Sequence, residues 1–277
     1  MNLQSERLEQ VEDYSQRRAQ KIILLTEDYP TNQQIAIRYL SNVGYKVDLA
    51  ENGLQAIEAV ASCAYDLILM DIQMPEMDGY EATWQIREME KIQEQKTPII
   101  AMTAHASTGY RDKCLASGMN DYISKPIRKE SFLSKVDSWL LDQKILPSEG
   151  IEATQYSEFS DIFDDRKALS SFLDDTAFLY EVIDGFQNNL ATQGPLITRA
   201  LSDQHWDTVV REAHSIKGGA YNLYANRIAQ AATLLEKAGK EKNSTECKHC
   251  LDALEENISS FNHHVKNNKQ LFRNELL

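Results

Sequence analysis

The chain has 277 residues, a length that suggests about two domains of ordinary size. Its 42% hydrophobic and 26% charged residues are typical of a globular protein and exclude a mostly disordered chain, a collagen and a disulfide-rich miniprotein. The 42 acidic residues outnumber the 29 basic ones and leave a formal net charge of −13. We therefore expect no nucleic-acid partner, because affinity for DNA or RNA comes from neutralising phosphates.

The sequence carries no sign of export or of membrane insertion. No apolar run reaches the roughly 18 residues of a transmembrane helix, and the first 20 residues lack the apolar core of a signal peptide. The four cysteines lack the spacing of a disulfide framework, which fits reduced thiols. We expect a cytoplasmic protein with no membrane insertion.

Residues 1–20 form a polar lead-in, which is interpreted as a loose segment or a short helix. From 21 to 142, five short apolar runs alternate with five amphipathic stretches. The apolar runs cover 21–26, 46–50, 66–70, 97–103 and 121–124. The stretches with helical periodicity cover 30–43, 53–62, 80–95, 106–117 and 128–141. Continuous apolar runs indicate strands covered on both faces, so the pattern predicts an α/β domain with a doubly wound, five-stranded parallel sheet.

The second half of the chain has a different pattern. Residues 143–164 contain a proline, a glycine and several serines and acids, and are interpreted as a linker. Strand signals then vanish, and helical patterns occur at 166–173, 176–191, 194–202, 205–223, 225–239 and 244–268. These patterns predict an all-α antiparallel helix bundle over 165–268, followed by a tail over 269–277.

Polar residues gather where the predicted strands end. Glu27 and Asp28 follow the first strand, Asp71 the third and Lys125 the fifth, and Thr103 ends the fourth. The carboxyl ends of parallel strands meet at one edge, where three carboxylates repel one another or bind a cation such as Mg²⁺. A hydroxyl and an ammonium suit a phosphoryl group, for which a carboxylate is a covalent acceptor. The alternative is that such acids are only helix N-caps, with Asp28 as the candidate.

Four segments of this region resemble the receiver domain of two-component response regulators, with the resemblance covering 21–142. They are Ile23-Leu-Leu-Thr-Glu-Asp28, Asp71-Ile-Gln-Met-Pro-Glu-Met-Asp-Gly79, Met102-Thr-Ala-His-Ala106 and Lys125-Pro126. The resemblance implies the flavodoxin-like fold and phosphorylation of Asp71. It also implies that Thr103 and Lys125 contact the phosphoryl oxygens. The implied Mg²⁺ ligands are Glu27, Asp28, Asp71 and the backbone carbonyl of Gln73.

The family's conformational switch pairs the Thr103 position with an aromatic residue, and Tyr122 stands at that place. The phosphoryl group would draw the Thr103 hydroxyl inward, and Tyr122 would rotate into the space left behind. The alternative for Tyr122 is ordinary core or edge packing. Thr26 departs from the family, which more often has an aliphatic residue there.

One of the six histidines has unusual neighbours. In a helix, His214 lies at the margin of a buried stripe and shares its face with Lys217, Gly218 and Tyr221. Two glycines within a helix cost about 1 kcal/mol each, which close approach by another molecule would offset. Neutral imidazole is a nucleophile near pH 7, and a lysine one turn away neutralises phosphoryl charge. A capping or satisfied histidine is an equally open interpretation of this local pattern. The buried stripe is Trp206, Val209, Ala213, Ile216, Ala220 and Leu223.

The stretch His214-Ser-Ile-Lys-Gly-Gly-Ala-Tyr-Asn-Leu-Tyr-Ala225 resembles the motif of histidine phosphotransfer (HPt) domains, which are four-helix bundles. The resemblance covers 165–268 and implies phosphorylation of an exposed His214, assisted by Lys217 and Gly218. Three positions depart from the family. Gly219 replaces a serine, Tyr221 a small residue and Tyr224 a glycine. Tyr221 would obstruct or select a docking partner.

A zinc site is a competing interpretation of one segment. Cys247 and Cys250, followed by His263 and His264, match part of a zinc-finger spacing. The histidines are adjacent, however, and the stretch reads as a continuous amphipathic helix. The two cysteines are therefore predicted to be core residues.

Together the two resemblances predict a phosphorelay intermediate. Phosphate would pass from an upstream histidine kinase to Asp71, then to His214, and then to a downstream response regulator receiver domain. No glycine-rich ATP-binding segment is found, so we expect a phosphoryl carrier rather than an enzyme. The alternatives are a phosphate sink or reverse-transfer module, a phosphorylation-switched binding module, or the C-terminal part of a hybrid sensor kinase.

Overall fold

A computed structural model describes residues 14–93, 96–103, 108–141, 162–172 and 175–274. Contacts between Cα atoms divide the chain into two compact units, Met1–Ala153 and Thr154–Leu277. The predicted linker 143–164 lies outside the described residues except for 162–164, as do residues 1–13 of the lead-in.

The first unit alternates strands and helices, as the sequence predicts. A helical segment over 14–19 precedes the first strand. The strands are β1 (Ile22–Thr26), β2 (Lys46–Ala50), β3 (Leu67–Asp71), β4 (Ile99–Thr103) and β5 (Asp121–Ser124). The helices are α1 (Pro30–Asn42), α2 (Gly53–Ser62), α3 (Gly79–Gln93), α4 (Thr108–Ala116) and α5 (Lys129–Leu140).

The five strands form one parallel sheet in the order β2-β1-β3-β4-β5. Every residue of β3 and β4 is buried, which explains the continuous apolar runs, because helices cover both faces of the sheet. The predicted doubly wound α/β fold is confirmed. The strand order reverses direction at β1 and β3, so the carboxyl ends of these two strands flank the crevice where such folds bind ligands.

Helix α3 begins directly against the end of β3. A Cβ added to Gly79 would lie 2.1 Å from the carbonyl oxygen of Asp71, so only glycine allows this approach. The Gly79 N–H donates to the carbonyl of Ile72 at 3.0 Å. The motif that follows Asp71 is therefore a tight turn that fixes the aspartate against the next helix.

The helical end of the lead-in belongs to the first unit. Arg18 Nε donates to the Asp137 carboxylate at 3.0 Å, and the Tyr45 hydroxyl donates to the same carboxylate at 2.6 Å. Arg17 donates to the carbonyl of Leu141, just beyond α5. These contacts join the segment that enters the sheet to the helix that leaves it.

The second unit is helical. Its helices are α6 (Asp165–Ser171), α7 (Thr176–Ser202), α8 (Trp206–Asn222), α9 (Asn226–Lys240) and α10 (Ser244–Asn274). Short turns over 203–205, 223–225 and 241–243 join α7 to α10, and turns of this length place successive helices antiparallel. The all-α bundle is confirmed. Its core includes Val182, Phe186, Ile216, Leu235 and Phe261, which are at most 1% exposed.

Two expected boundaries in this unit are wrong. Helix α7 runs through Gly194 and Pro195 without a break, where the sequence pattern predicted two helices. A proline disfavours the helical conformation of the preceding residue, because its ring clashes with that residue's Cβ. The residue before Pro195 is Gly194, which has no Cβ. Helix α10 continues to Asn274 rather than ending at 268, since no glycine or proline stops it. Among the described residues, no helix is long and apolar enough to cross a membrane.

Candidate functional site

Three carboxylates meet at the edge of the sheet where β1 and β3 end. One ligand oxygen each from Glu27, Asp28 and Asp71 lies within 4.8 Å of the others. Glu27 and Asp71 are 1% and 3% exposed. The N-cap residue of α1 is Tyr29, whose side chain makes no capping hydrogen bond, so Asp28 is not the N-cap residue.

Lys125 joins two of these carboxylates. It follows β5, and its Nζ lies 2.7 Å from Glu27 Oε2 and 2.6 Å from Asp71 Oδ2. Its side chain is only 6% exposed. The topology thus brings Glu27, Asp28, Asp71 and Lys125 together, as the sequence predicts.

The electrostatics of this cluster are unbalanced, because three carboxylates face one ammonium. Burial raises the pKa of Asp71 to about 8; Lys125 opposes the rise, whereas Glu27 and Asp28 add to it. Burial lowers the pKa of Lys125, but Asp71 and Glu27 outweigh burial and raise this pKa above its ordinary value. The site therefore has a surplus of negative charge on hard oxygen atoms, which is the donor set that Mg²⁺ prefers.

The other predicted residues lie around this cluster. The Gln73 N–H donates to Asp71 Oδ1 at 3.3 Å. Thr103 is buried at the end of β4, and its carbonyl accepts from the Lys125 N–H at 2.6 Å. Tyr122 is half-buried and packs against the apolar core on one face of the sheet. The roles expected for these three residues stay predictions.

The second candidate site lies on α8. The predicted stripe Val209, Ala213, Ile216, Ala220 and Leu223 is buried, and Trp206 is half-buried. His214 lies at the margin of this stripe, as predicted, but its side chain is only 13% exposed. Its Nδ1 lies 3.3 Å from Glu236 Oε1 on α9.

Glu236 is the residue that sequence reasoning missed. It is 3% exposed and accepts from Lys217 Nζ and from Lys240 Nζ at 2.6 Å each. Burial raises the pKa of this carboxyl, but hydrogen bonds from His214, Lys217 and Lys240 outweigh burial and hold the pKa far below its usual range. Glu236 is therefore ionised and can only accept hydrogen bonds, so a hydrogen bond between the two residues requires a proton on His214 Nδ1.

A signal for Glu236 does exist in the sequence. This acid stands in the apolar stripe of α9, with Ile228, Ala232, Leu235 and Gly239. A buried carboxylate needs partners, and helical spacing alone does not show that those partners are on α8. Gly239 lets the helices approach, because a Cβ there would lie 3.0 Å from Val210 Cγ2.

The other residues of the histidine motif lie on α8 and in the turn after it. Gly218 is half-buried and Gly219 is buried on α8, and Tyr221 is half-buried. Tyr224 has a positive φ of 59°, and its hydroxyl lies 2.6 Å from Ser171 Oγ on α6. The departure from glycine at Tyr224 is therefore accompanied by a contact that glycine cannot make.

The zinc interpretation finds no support in the part of the chain that the structure describes. Cys247 and Cys250 are buried on α10, and burial raises the pKa of both thiols. His263 points to solvent on the same helix. Within the described residues, the carboxylate cluster of the first unit is the group of side chains with metal-binding geometry.

Comparison with protein families assigns both units. The family described as the response regulator receiver domain matches residues 23–137. The family described as the Hpt domain matches residues 181–264. These ranges contain Asp71 and His214, respectively.

Curated relatives match the chain over parts of much longer proteins. Hybrid signal transduction histidine kinase B of Dictyostelium discoideum is 48% identical over 122 residues, which are 40% of this chain and 6% of that protein. The signal transduction histidine-protein kinase BarA of Escherichia coli K12 is 42% identical over 108 residues, which are 39% of this chain and 12% of that protein. The sensor protein EvgS of the same organism is 29% identical over 245 residues, which are 88% of this chain and 19% of that protein.

A solved structure, the magnesium-bound receiver domain of a sensor histidine kinase from Pseudomonas aeruginosa PAO1, is 42% identical. The matched region is 43% of this chain and 97% of the solved chain, with a TM-score of 0.40. The chain therefore contains a response regulator receiver domain, matched over 23–137, followed by an Hpt domain, matched over 181–264.

Proposed function

We propose that this chain accepts a phosphoryl group from an upstream histidine kinase on Asp71 and passes it through His214 to a downstream receiver domain. One observation carries the proposal. Each of the two proposed acceptors has a charged partner: Asp71 lies 2.6 Å from Lys125 and beside two further acids, and His214 Nδ1 lies 3.3 Å from Glu236. Both units are carriers, and neither needs to bind ATP for this role.

The carboxylate cluster fits Mg²⁺. Glu27, Asp28 and Asp71 would hold the ion together with the carbonyl of Gln73. A bound Mg²⁺ would supply positive charge that offsets the negative charge of the incoming phosphoryl group. The surplus of negative charge in the cluster supports this assignment.

The first transfer uses Asp71 as nucleophile. A carboxylate oxygen of Asp71 attacks the phosphorus, the bond from phosphorus to the donor's imidazole nitrogen breaks, and an acyl phosphate forms. Lys125 Nζ lies 2.6 Å from Asp71 Oδ2. After transfer, its ammonium would contact the phosphoryl oxygens and stabilise their negative charge. Thr103 would contact the same oxygens, and Tyr122 would move inward behind its hydroxyl.

The second transfer uses His214. Its Nε2 lone pair attacks the phosphorus, the bond between phosphorus and the Asp71 oxygen breaks, and Asp71 returns to a carboxylate. The proton on Nδ1 stays on the ring, where Glu236 balances the positive charge of the phosphorylated imidazole. Lys217 and Lys240 donate hydrogen bonds to the same Glu236 carboxylate. Gly218 has no side chain and would leave room for the approaching receiver domain.

The proposed bounds of the receiver domain are 21–142 and those of the Hpt domain are 165–268, with the linker 143–164 between them; helix α10 extends past the second domain's bound to Asn274. The four cysteines are free thiols, which fits a reducing compartment, and we place the protein in the cytoplasm.

Acetyl phosphate tests the first step. The purified chain is incubated with acetyl phosphate and Mg²⁺, and the modified residue is located by mass spectrometry after borohydride trapping. We expect modification of Asp71, none in Asp71→Ala, and none when EDTA removes the metal. Modification that persists in Asp71→Ala or in EDTA would contradict the proposal.

A further inference from the structure

Two side chains in the first turn of α1 donate hydrogen bonds to Glu27, which precedes the helix. Asn32 is 2% exposed, and its Nδ2 donates to Glu27 Oε1 at 2.8 Å. The next residue, Gln33, donates its Nε2 to the backbone carbonyl of Glu27 at 2.7 Å. Burial of a polar side chain is unfavourable unless the side chain forms hydrogen bonds. Both carboxamides donate to Glu27, one to its carboxylate and the other to its backbone carbonyl.

The two oxygens of Glu27 have different partners. Oε1 accepts from Asn32 and Oε2 accepts from Lys125, which also binds Asp71. Lys125 brings a positive charge that competes with a cation at Glu27. Asn32 is neutral, so its hydrogen bond to Oε1 adds no positive charge that would compete with a cation at Glu27.

We propose that Asn32 is a positioning residue for the metal ligand Glu27. This inference rests on the proposed function, in which Lys125 turns from the acids to the phosphoryl oxygens. Once Lys125 leaves Oε2, the bond from Asn32 to Oε1 keeps the carboxylate facing the site. Hydrogen bonds to a metal ligand from an outer residue commonly change metal affinity by about 10- to 100-fold.

The inference is tested by Mg²⁺ titration of the full chain in a calorimeter. Asn32→Ala should raise the dissociation constant for Mg²⁺ by about tenfold or more. Gln34→Ala is the matched control, because it removes a carboxamide from the same turn and should change the constant less than about twofold. Asn32→Leu keeps the volume without the donor and is the second variant, and circular dichroism checks that each variant is folded.

A double-mutant cycle separates positioning from general disturbance. If Asn32 acts through Glu27, then Asn32→Ala should have no further effect on Mg²⁺ affinity in a Glu27→Ala background. An undiminished effect there, or unchanged affinity in both Asn32 variants, would overturn the inference. The proposed function stands in that case if the parent chain binds Mg²⁺ and accepts phosphate on Asp71. A parent chain that does neither would refute the proposed function itself.

Discussion

Glu236 on α9 contacts His214 on α8, with Oε1 3.3 Å from the imidazole Nδ1. The two residues are far apart in sequence, and the close packing of Gly239 against Val210 brings their helices together. Glu236 also accepts hydrogen bonds from Lys217 and Lys240, so its ionised carboxylate can interact with the imidazole only as an acceptor from Nδ1. A residue outside the histidine motif thus contacts the imidazole that we propose as a phosphoryl acceptor.

Removal of the Glu236 carboxylate should slow phosphotransfer to His214. Glu236→Ala loses a charge-assisted hydrogen bond worth about 1.5–3 kcal/mol, so the rate should fall about 10- to 100-fold. The measurement is single-turnover transfer from a phosphorylated receiver. Glu241→Ala, an exposed acid just after the same helix, should transfer at the parent rate. Equal rates for Glu236→Ala and the parent would contradict this prediction.

The same residue predicts a dependence of stability on pH. Hydrogen bonds lower the pKa of Glu236 in the folded state, whereas an unfolded glutamate titrates near 4.3. Its stabilisation is therefore complete above about pH 4.3 and is lost progressively as the pH falls toward the folded-state pKa. Glu236→Gln lacks this contribution.

The free energy of unfolding of the second unit, followed by urea titration at several pH values, checks this prediction. The difference between the parent and Glu236→Gln should shrink as the pH falls from about 5 to about 3. Two curves that stay parallel across that range would contradict it.

Much of the fold follows from local sequence patterns. Strands β3 and β4 read as continuous apolar runs because both faces are covered, and parallel topology then places Asp71 beside Glu27 without any knowledge of contacts. The Glu236 contact does not follow in this way, because helical periodicity gives the buried face of α9 but not the residue that it meets. Gly194 and Pro195 mislead for a related reason, since each residue alone indicates a helix boundary, whereas the pair is compatible with a continuous helix.

Thr26 is expected to destabilise the receiver domain slightly. Among the described residues, its hydroxyl is a buried oxygen without a hydrogen-bond partner. Thr26→Val removes that group at nearly constant volume and should raise the free energy of unfolding by about 1 kcal/mol. Thr83→Val is the matched control: it loses the 2.7 Å bond to the Gly79 carbonyl and should lower stability by about 1 kcal/mol. A loss of stability in Thr26→Val would contradict this account.

Tyr224 should be coupled to Ser171. The positive φ of Tyr224 costs about 1–3 kcal/mol for a residue with a side chain, and its hydroxyl bond to Ser171 offsets part of that cost. Tyr224→Phe and Ser171→Ala should each lower the stability of the Hpt domain by about 1 kcal/mol. Because they remove the same bond, the double variant should lose little more than either one. Fully additive losses in chemical denaturation would refute the coupling.

The relay from Asp71 to His214 is the central claim, and the chemical stability of bound phosphate tests it most directly. The chain, Asp71→Ala and His214→Ala are each incubated with labelled acetyl phosphate and Mg²⁺. Acyl phosphate is lost in base, whereas phosphohistidine survives base and is lost in acid. We predict base-stable label in the parent chain and none in either variant. Label that is wholly base-labile and unchanged in His214→Ala would contradict transfer from Asp71 to His214.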